Sequence, residues 1–171
     1  MIQRCGARDD VSKDVEMIRP RFWKTVPLAE MTPAEWEAIC DGCAKCCLVK
    51  LADADGTVYF TDVHCFLLDP AACRCRDYAA RTTHVPGCVV LTPQRLEELF
   101  WMPASCSYRR LADGRGLAAW HPLVSGDAAG VHRAGLSVRG RAVPETDVAE
   151  ADLEDRLVDW PVTETGDGPD A

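Results

Sequence analysis

The sequence is short of positive charge. Its 171 residues carry 19 Lys and Arg against 27 Asp and Glu, a formal net charge of −8. Phosphate binding needs a basic face, so this balance argues against a nucleic-acid partner. No apolar run is long enough to span a bilayer, which excludes a membrane-spanning helix and predicts no membrane partner. Residues Met1 to Pro20 alternate charge with short apolar stretches. They lack a basic segment followed by an apolar one, so no secretory signal is read and a cytoplasmic protein is expected. A Gly-rich phosphate loop and a His-Glu-x-x-His pair are also missing. Histidine is scarce, with only His64, His84, His121 and His132. His64 neighbours Cys65 and can ligate or tune a metal, but a surface or hydrogen-bonded role is the plainer expectation for each. Trp120-His121-Pro122-Leu123 reads as a packed turn rather than a catalytic site.

Cysteine, by contrast, is abundant. The ten are Cys5, Cys40, Cys43, Cys46, Cys47, Cys65, Cys73, Cys75, Cys88 and Cys106. Without a signal peptide, a reducing compartment disfavours a disulfide framework and favours metal binding or redox chemistry. Cys5 stands apart from the other nine. The strongest signal is Cys40-x-x-Cys43-x-x-Cys46-Cys47. A two-residue gap lets a tight turn aim two sulfurs at one ion, as in zinc knuckles and iron–sulfur loops. Adjacent cysteines usually point apart, so Cys47 is expected to serve a second metal or to bridge two. Further ligands follow at Cys65, Cys73, Cys75, Cys88 and Cys106, beside Pro70, Pro86-Gly87 and Pro103, which bend the chain. Arg74, Arg76 and Arg81 lie close enough in sequence to screen thiolate charge. Deprotonating nine thiols would move the formal charge from −8 to −17. Such a density of thiolate needs metal ions to neutralise it. For any single downstream cysteine a buried structural thiol is the less favoured alternative.

The rest is an ordinary globular composition, 47% hydrophobic and 27% charged, long enough for one domain with a core. Residues 1–21 read as a mobile polar arm. Residues 22–160 read as the cysteine-cluster domain, and residues 161–171 as a disordered acidic, Gly/Pro-rich tail. The fold class expected is α+β: a small, irregular, metal-stabilised domain with about three helices and a few short strands. Thr32 caps the first helix, with Pro33 at its first position and Glu35 completing a capping box. It carries Trp36, Ile39 and Cys40 and ends near Gly42. The second runs from Thr92-Pro93 to about Trp101, with Leu96, Leu99 and Phe100 at helical spacing. The third spans Asp147 to Asp159. Thr57 to Thr61, after the Asp55-Gly56 turn, is the best strand; Leu117 to Trp120 and Leu136 to Arg139 are two more. About forty residues with four cysteines have little regular pattern, and metal–thiolate bonds would supply their cohesion.

Several stretches together resemble the YkgJ-type cysteine-cluster family, in its YcgN-like branch. They are Phe22-Trp23-Lys24, Met31 to Cys47, Tyr59-Phe60-Thr61, Cys73 to Tyr78, Trp101 to Arg109, and Ala119 to Leu123. The similarity covers most of the chain between the arm and the tail. It implies a zinc- or iron-chelating domain, some members being labelled iron–sulfur proteins, with little said about purpose. Carried over position by position, the family's cysteines fall on Cys40, Cys43, Cys46, Cys47, Cys65, Cys73, Cys75, Cys88 and Cys106. Three functions follow as expectations. One is an iron or iron–sulfur protein. Another is a zinc domain acting as a protein-interaction or storage module. The last is a metal-dependent enzyme of redox or group-transfer type.

Overall fold

The computed structural model describes residues 18–167, together with the backbone but not the side chains of residues 96–99. Cys5 lies outside the described residues. The α+β class holds, built from pieces shorter than the sequence implies. Among the described residues there are seven short helices: α1 (Phe22–Thr25), α2 (Pro33–Ala38), α3 (Arg81–His84), α4 (Ser107–Ala112), α5 (Pro122–Ser125), α6 (Gly130–Arg133) and α7 (Trp160–Thr163). The strands are β1 (Leu48–Ala52), β2 (Val58–His64), β3 (Leu68–Asp69), β4 (Arg74–Cys75), β5 (Val143–Pro144) and β6 (Leu157–Val158).

β2 is the spine. It pairs antiparallel with β1 along one edge. Its other edge takes β5 in parallel at Val63 and His64, and β6 antiparallel at Phe60 and Thr61. The register of β1 and β2 slips between Leu48 and Lys50. There the Thr61 hydroxyl donates to the Val49 carbonyl at 2.8 Å, satisfying a backbone acceptor at the irregularity. β3 and β4 form a separate small hairpin in which Leu68 faces Cys75.

The capping box expected at Thr32 forms. Thr32 Oγ1 accepts from the Glu35 amide, and the Glu35 carboxylate accepts from the Thr32 amide. Glu35 is wholly buried and also binds Arg19 through the backbone and guanidinium N–H groups. Ile18 and Arg19, at the end of the stretch expected as an arm, are thereby anchored. α2 stops at Ala38, so Cys40 lies beyond it rather than on it.

Two expected helices differ. Pro93–Trp101 is a 3-10 stretch broken at Arg95, where φ is −115° and ψ 33°. Phe100 is exposed, so its share of the predicted apolar stripe faces solvent. Asp147 to Asp159 is no helix. Three single 3-10 turns (Glu145–Asp147, Glu150–Asp152, Glu154–Arg156) lead into β6. The local helical pattern loses to two tertiary ties: Arg156 grips Asp62 through two N–H···O bonds of 2.7 and 2.6 Å, and Val158 pairs with Phe60. Leu117 to Trp120 and Leu136 to Arg139 are not strands. Val138 donates one bond to the Cys43 carbonyl, and a single bond makes no ladder.

The core is split. One apolar group holds Phe22, Met31, Trp36, Ile39, Met102, Cys106 and Tyr108. A second holds Ala44, Leu48, Phe60, Leu68, Cys73 and Val138. A small third joins Cys43 to Val131 and Leu136. The chain end closes over them. Composition assigns residues 161–171 to a tail, yet residues up to Asp167 dock. Glu164 pairs with Lys45 at 2.9 Å and with Arg141 at 2.7 Å. Asp167 pairs with Arg110 and Arg115, and the Gly166 carbonyl accepts from Trp120 Nε1.

Two outcomes follow. The Arg19 hydrogen bonds hold the Glu35 carboxyl down at about 2, against an ordinary 4.5. Its contribution to stability is therefore complete above pH 4.5 and is lost as pH falls toward 2. Acid titration followed by circular dichroism should show a Glu35→Gln chain that is less stable at pH 7 and loses less between pH 4.5 and 2 than wild type. Thr32→Ala should cost about 1 kcal/mol at any pH in that range. Glu164→Ala leaves the fully buried Lys45 ammonium without its carboxylate, and should lower the unfolding free energy by about 3 kcal/mol in a urea titration.

Candidate metal centre

The Cys40–Cys47 loop is a sequence of forced turns. Cys40 follows the last turn of α2, its amide bonded to the Glu37 carbonyl. Gly42 then takes a left-handed conformation, φ 76°, which costs glycine little. Ala44 takes another, φ 59°. For alanine that costs about 1 kcal/mol, and the Ala44 methyl recovers some of it by packing in the second core group. Lys45–Cys47 is a 3-10 turn, and β1 begins at the next residue.

Asp41 ties this loop to a distant cysteine. Its carboxylate is buried and accepts from the Cys43 amide at 2.9 Å. It also accepts from the Ser107 amide at 3.2 Å and the Ser107 hydroxyl at 2.8 Å. Cys106, immediately before Ser107, is buried at the N-terminus of α4 and packs in the first core group. Cys46 packs against that same group, whereas Cys47 packs against the second. The two adjacent residues thus pack against different groups while their sulfurs stay in hydrogen-bond contact.

The sheet places the next cysteine. Cys47 precedes β1 and Cys65 follows β2, so the antiparallel pairing sets them side by side, and the Cys65 amide donates to the Cys47 carbonyl at 3.0 Å. Leu68 donates to the Cys65 carbonyl and faces Cys75 across the β3–β4 hairpin. Cys88 follows the Pro86-Gly87 turn and lines an open cavity of about 330 Å³ with Leu91, Arg95 and Trp101. Cys73 goes elsewhere. It is buried in the second core group, its φ is 52°, and its thiol lies 3.5 Å from the Pro70 carbonyl.

Electrostatics follows the same grouping. Burial pushes the Cys43 and Cys106 thiols far up, and the Asp41 charge adds to it. Cys40 has exposed surface, but atoms crowded round its sulfur, with Asp41 and Cys46 next, push it up to about 12. Cys46 moves the other way, downward. The Cys47 S–H donates to its sulfur and Lys50 adds a positive charge. Cys47, as donor, is raised. Burial raises Cys65 and Cys88, the latter opposed by Arg81. Burial also raises Cys73, whose charged neighbour is Arg139.

Lys50 was not singled out by sequence reasoning. Its ammonium donates to the Cys46 and Leu48 carbonyls at 2.8 and 2.6 Å, and sits over the Trp101 and Phe60 rings at 5.2 and 5.3 Å. It acts on Cys46, Cys47, Cys88 and Cys65. Of the arginines expected to screen the sulfurs, Arg81 acts on Cys88 while stacked on Tyr78; Arg76 acts on Asp69. The histidines are structural or peripheral. His121 Nδ1 accepts from the Leu123 amide, so its Nε2–H donates to the Ile39 carbonyl, one residue before Cys40. His64 Nδ1 donates to the Cys65 carbonyl, and His84 pairs with Asp77 on the surface.

Among the described residues, no three His, Cys, Asp or Glu side chains already converge as a ready-made ligand set. The donor chemistry nonetheless fits a soft or borderline cation: buried thiols that repel one another once ionised, beside a fixed ammonium. With most of these thiols raised, they stay protonated until an ion replaces the protons.

Comparison with known proteins points to metal chelation in general. Residues 39–107 match the family model CxxCxxCC, described as "Putative zinc- or iron-chelating domain". The chain is similar to a UPF0260 protein of Rhodopseudomonas palustris strain HaA2, 58% identical over 142 residues, 82% of this chain and 84% of that one. A UPF0260 protein of Parvibaculum lavamentivorans is 55% identical over 82% of this chain and 93% of its own. One of Rhizobium etli is 54% identical over 83% and 90%. No solved structure matches. This identity along most of the length makes the chain a member of the UPF0260 family, with its cysteine loop inside the stretch that matches the chelating-domain model.

Proposed function

We propose that this protein holds iron, as ions or as an iron–sulfur cluster, through cysteine thiolates, with zinc as the second metal its donor set suits. One observation carries the reading. Eight sulfurs (Cys40, Cys43, Cys46, Cys47, Cys65, Cys75, Cys88 and Cys106) form a connected electrostatic group around one loop. Structural thiols have no reason to gather so, since each ionisation raises the cost of the next.

Cysteine-only ligation suits iron–sulfur clusters and tetrahedral zinc alike. Bound iron would supply one-electron chemistry, and bound zinc structural cohesion. The chain's own residues do the rest. Asp41 holds the Cys43 amide and the start of α4 on one carboxylate. Lys50 sets a positive charge against the thiolates, and its aromatic flank keeps water from it. Cys47 stabilises ionised Cys46, making Cys46 the first sulfur ready for an incoming ion.

Anaerobically purified protein should carry iron with visible sulfur-to-iron absorption. Colourless protein with stoichiometric zinc would select the second metal, and protein taking up neither would end the reading. Because each ligand must lose its proton, affinity should rise steeply from pH 6 to pH 8. A competition assay showing pH-independent affinity would contradict thiolate ligation. Cys43→Ser should lose metal, and Cys5→Ser should not.

A further inference from the structure

Resting on the metal-binding reading, we infer that the sulfurs divide into two four-thiol centres. The inner one is Cys40, Cys43, Cys46 and Cys106. The outer one is Cys47, Cys65, Cys75 and Cys88, and it exchanges its metal first; Cys73 belongs to neither.

The division falls between two neighbouring residues. Cys46 packs against the group containing Cys106, Trp36 and Tyr108; Cys47 packs against the group containing Leu48 and Phe60. The Cys47 S–H meets the Cys46 sulfur at the boundary between these two packings, and the division runs through that contact. The inner partners are joined by one carboxylate. Asp41 binds the Cys43 amide, the Ser107 amide and the Ser107 hydroxyl, fixing the Cys40–Cys43 turn against the turn that ends at Cys106. His121 adds a second tie, donating to the Ile39 carbonyl next to Cys40.

The outer partners are joined by backbone bonds of the sheet. Cys65 donates to Cys47, Leu68 donates to Cys65, and Leu68 faces Cys75 across the hairpin. Cys88 reaches the same side, beside Trp101, the ring under the Lys50 ammonium. Four sulfurs per centre match what one zinc ion or one four-iron cluster takes.

Cys73 is excluded by position. It sits one residue from Arg74, opposite Asp69 on β4, but its own side chain is buried among Ala44, Leu48, Phe60, Leu68 and Val138. Its thiol lies 3.5 Å from the Pro70 carbonyl, and its charged neighbour is Arg139 rather than another sulfur.

The two centres differ in access. Cys43 and Cys106 are buried, and the loop between them and Cys46 is clamped from above: Lys45 donates to Ser105 Oγ at 3.0 Å and to the docked Glu164. Cys40 is exposed, though atoms crowd its sulfur, and Cys46 is half-buried; none of the outer four is buried, and Cys88 opens on a cavity. Ligand exchange needs an approach for the competing ligand, and the outer side offers it.

The test uses the full chain loaded with zinc, or with iron and sulfide under anaerobic conditions. Native mass spectrometry should count two centres in wild type, two in Cys73→Ala, and one in each of Cys106→Ser and Cys88→Ser. Should either serine variant fail to fold, wild-type protein answers the same question. Under a chelator, with alkylation of released thiols, the first centre lost should expose Cys47, Cys65, Cys75 and Cys88, while the inner four stay protected at least tenfold longer. Release of all eight together, earlier release of the inner four, or loss of a centre in Cys73→Ala overturns the division. Wild type that binds no metal at all overturns instead the reading beneath it.

Discussion

One buried carboxylate holds the arrangement together. Asp41 lies inside the Cys40–Cys43 spacing and receives hydrogen bonds from its own loop and from Ser107, 66 residues away. A buried carboxylate with three N–H or O–H donors is satisfied, so its burial is tolerated and its neighbours are fixed. The rest is arranged round that point. α2 delivers the loop, α4 starts where the carboxylate holds it, and Trp36 and Tyr108 from those two helices pack ring to ring at 4.7 Å. The Asp41 contacts join the Cys43 turn to the turn that ends at Cys106. The same negative charge makes the nearby thiols harder to ionise, which favours an incoming cation over a bare thiolate.

A second consequence concerns the paucity of regular structure. Strands of two residues and helices of four contribute little stability by themselves. Here they serve as short rigid joints between turns, and side-chain ion pairs do the long-range work. Lys45 with Glu164, Arg156 with Asp62, and Arg19 with Glu35 each connect segments far apart in sequence. Pairs of this kind, with one or both partners partly exposed, give specificity of arrangement more than net stability. In a domain so built, a metal shared by the sulfurs would add cohesion that the short elements do not supply.

What the sequence revealed and what it hid differ by range. The capping box at Thr32 and Glu35 was legible because its partners are three residues apart. The strand after Asp55-Gly56 was legible for the same reason. The Asp147–Asp159 helix misled because its local pattern is weaker than the pull of Asp62 and β2. Of the nine cysteines, the spacing identified the loop, but the place of Cys73 depends on a left-handed backbone and a core formed by Phe60 and Val138, neither of which spacing encodes. Lys50 was invisible for a related reason: a lysine in a strand reads as solvent-facing until Trp101, distant in sequence, covers it. Its one signal was position, three residues past the last cysteine of the loop, between apolar Val49 and Leu51.

The docked chain end has a consequence for how the molecule is made. Synthesis runs from the N-terminus, and every clustered sulfur, the last at Cys106, emerges before Trp160. Through that interval Lys45 has no carboxylate above it, and the loop it belongs to is open on that side. The nascent chain therefore passes through a stage in which the sulfurs are complete and the cover is absent. Glu164 and Asp167 arrive last, as a latch that translation itself sets after the loop is in place.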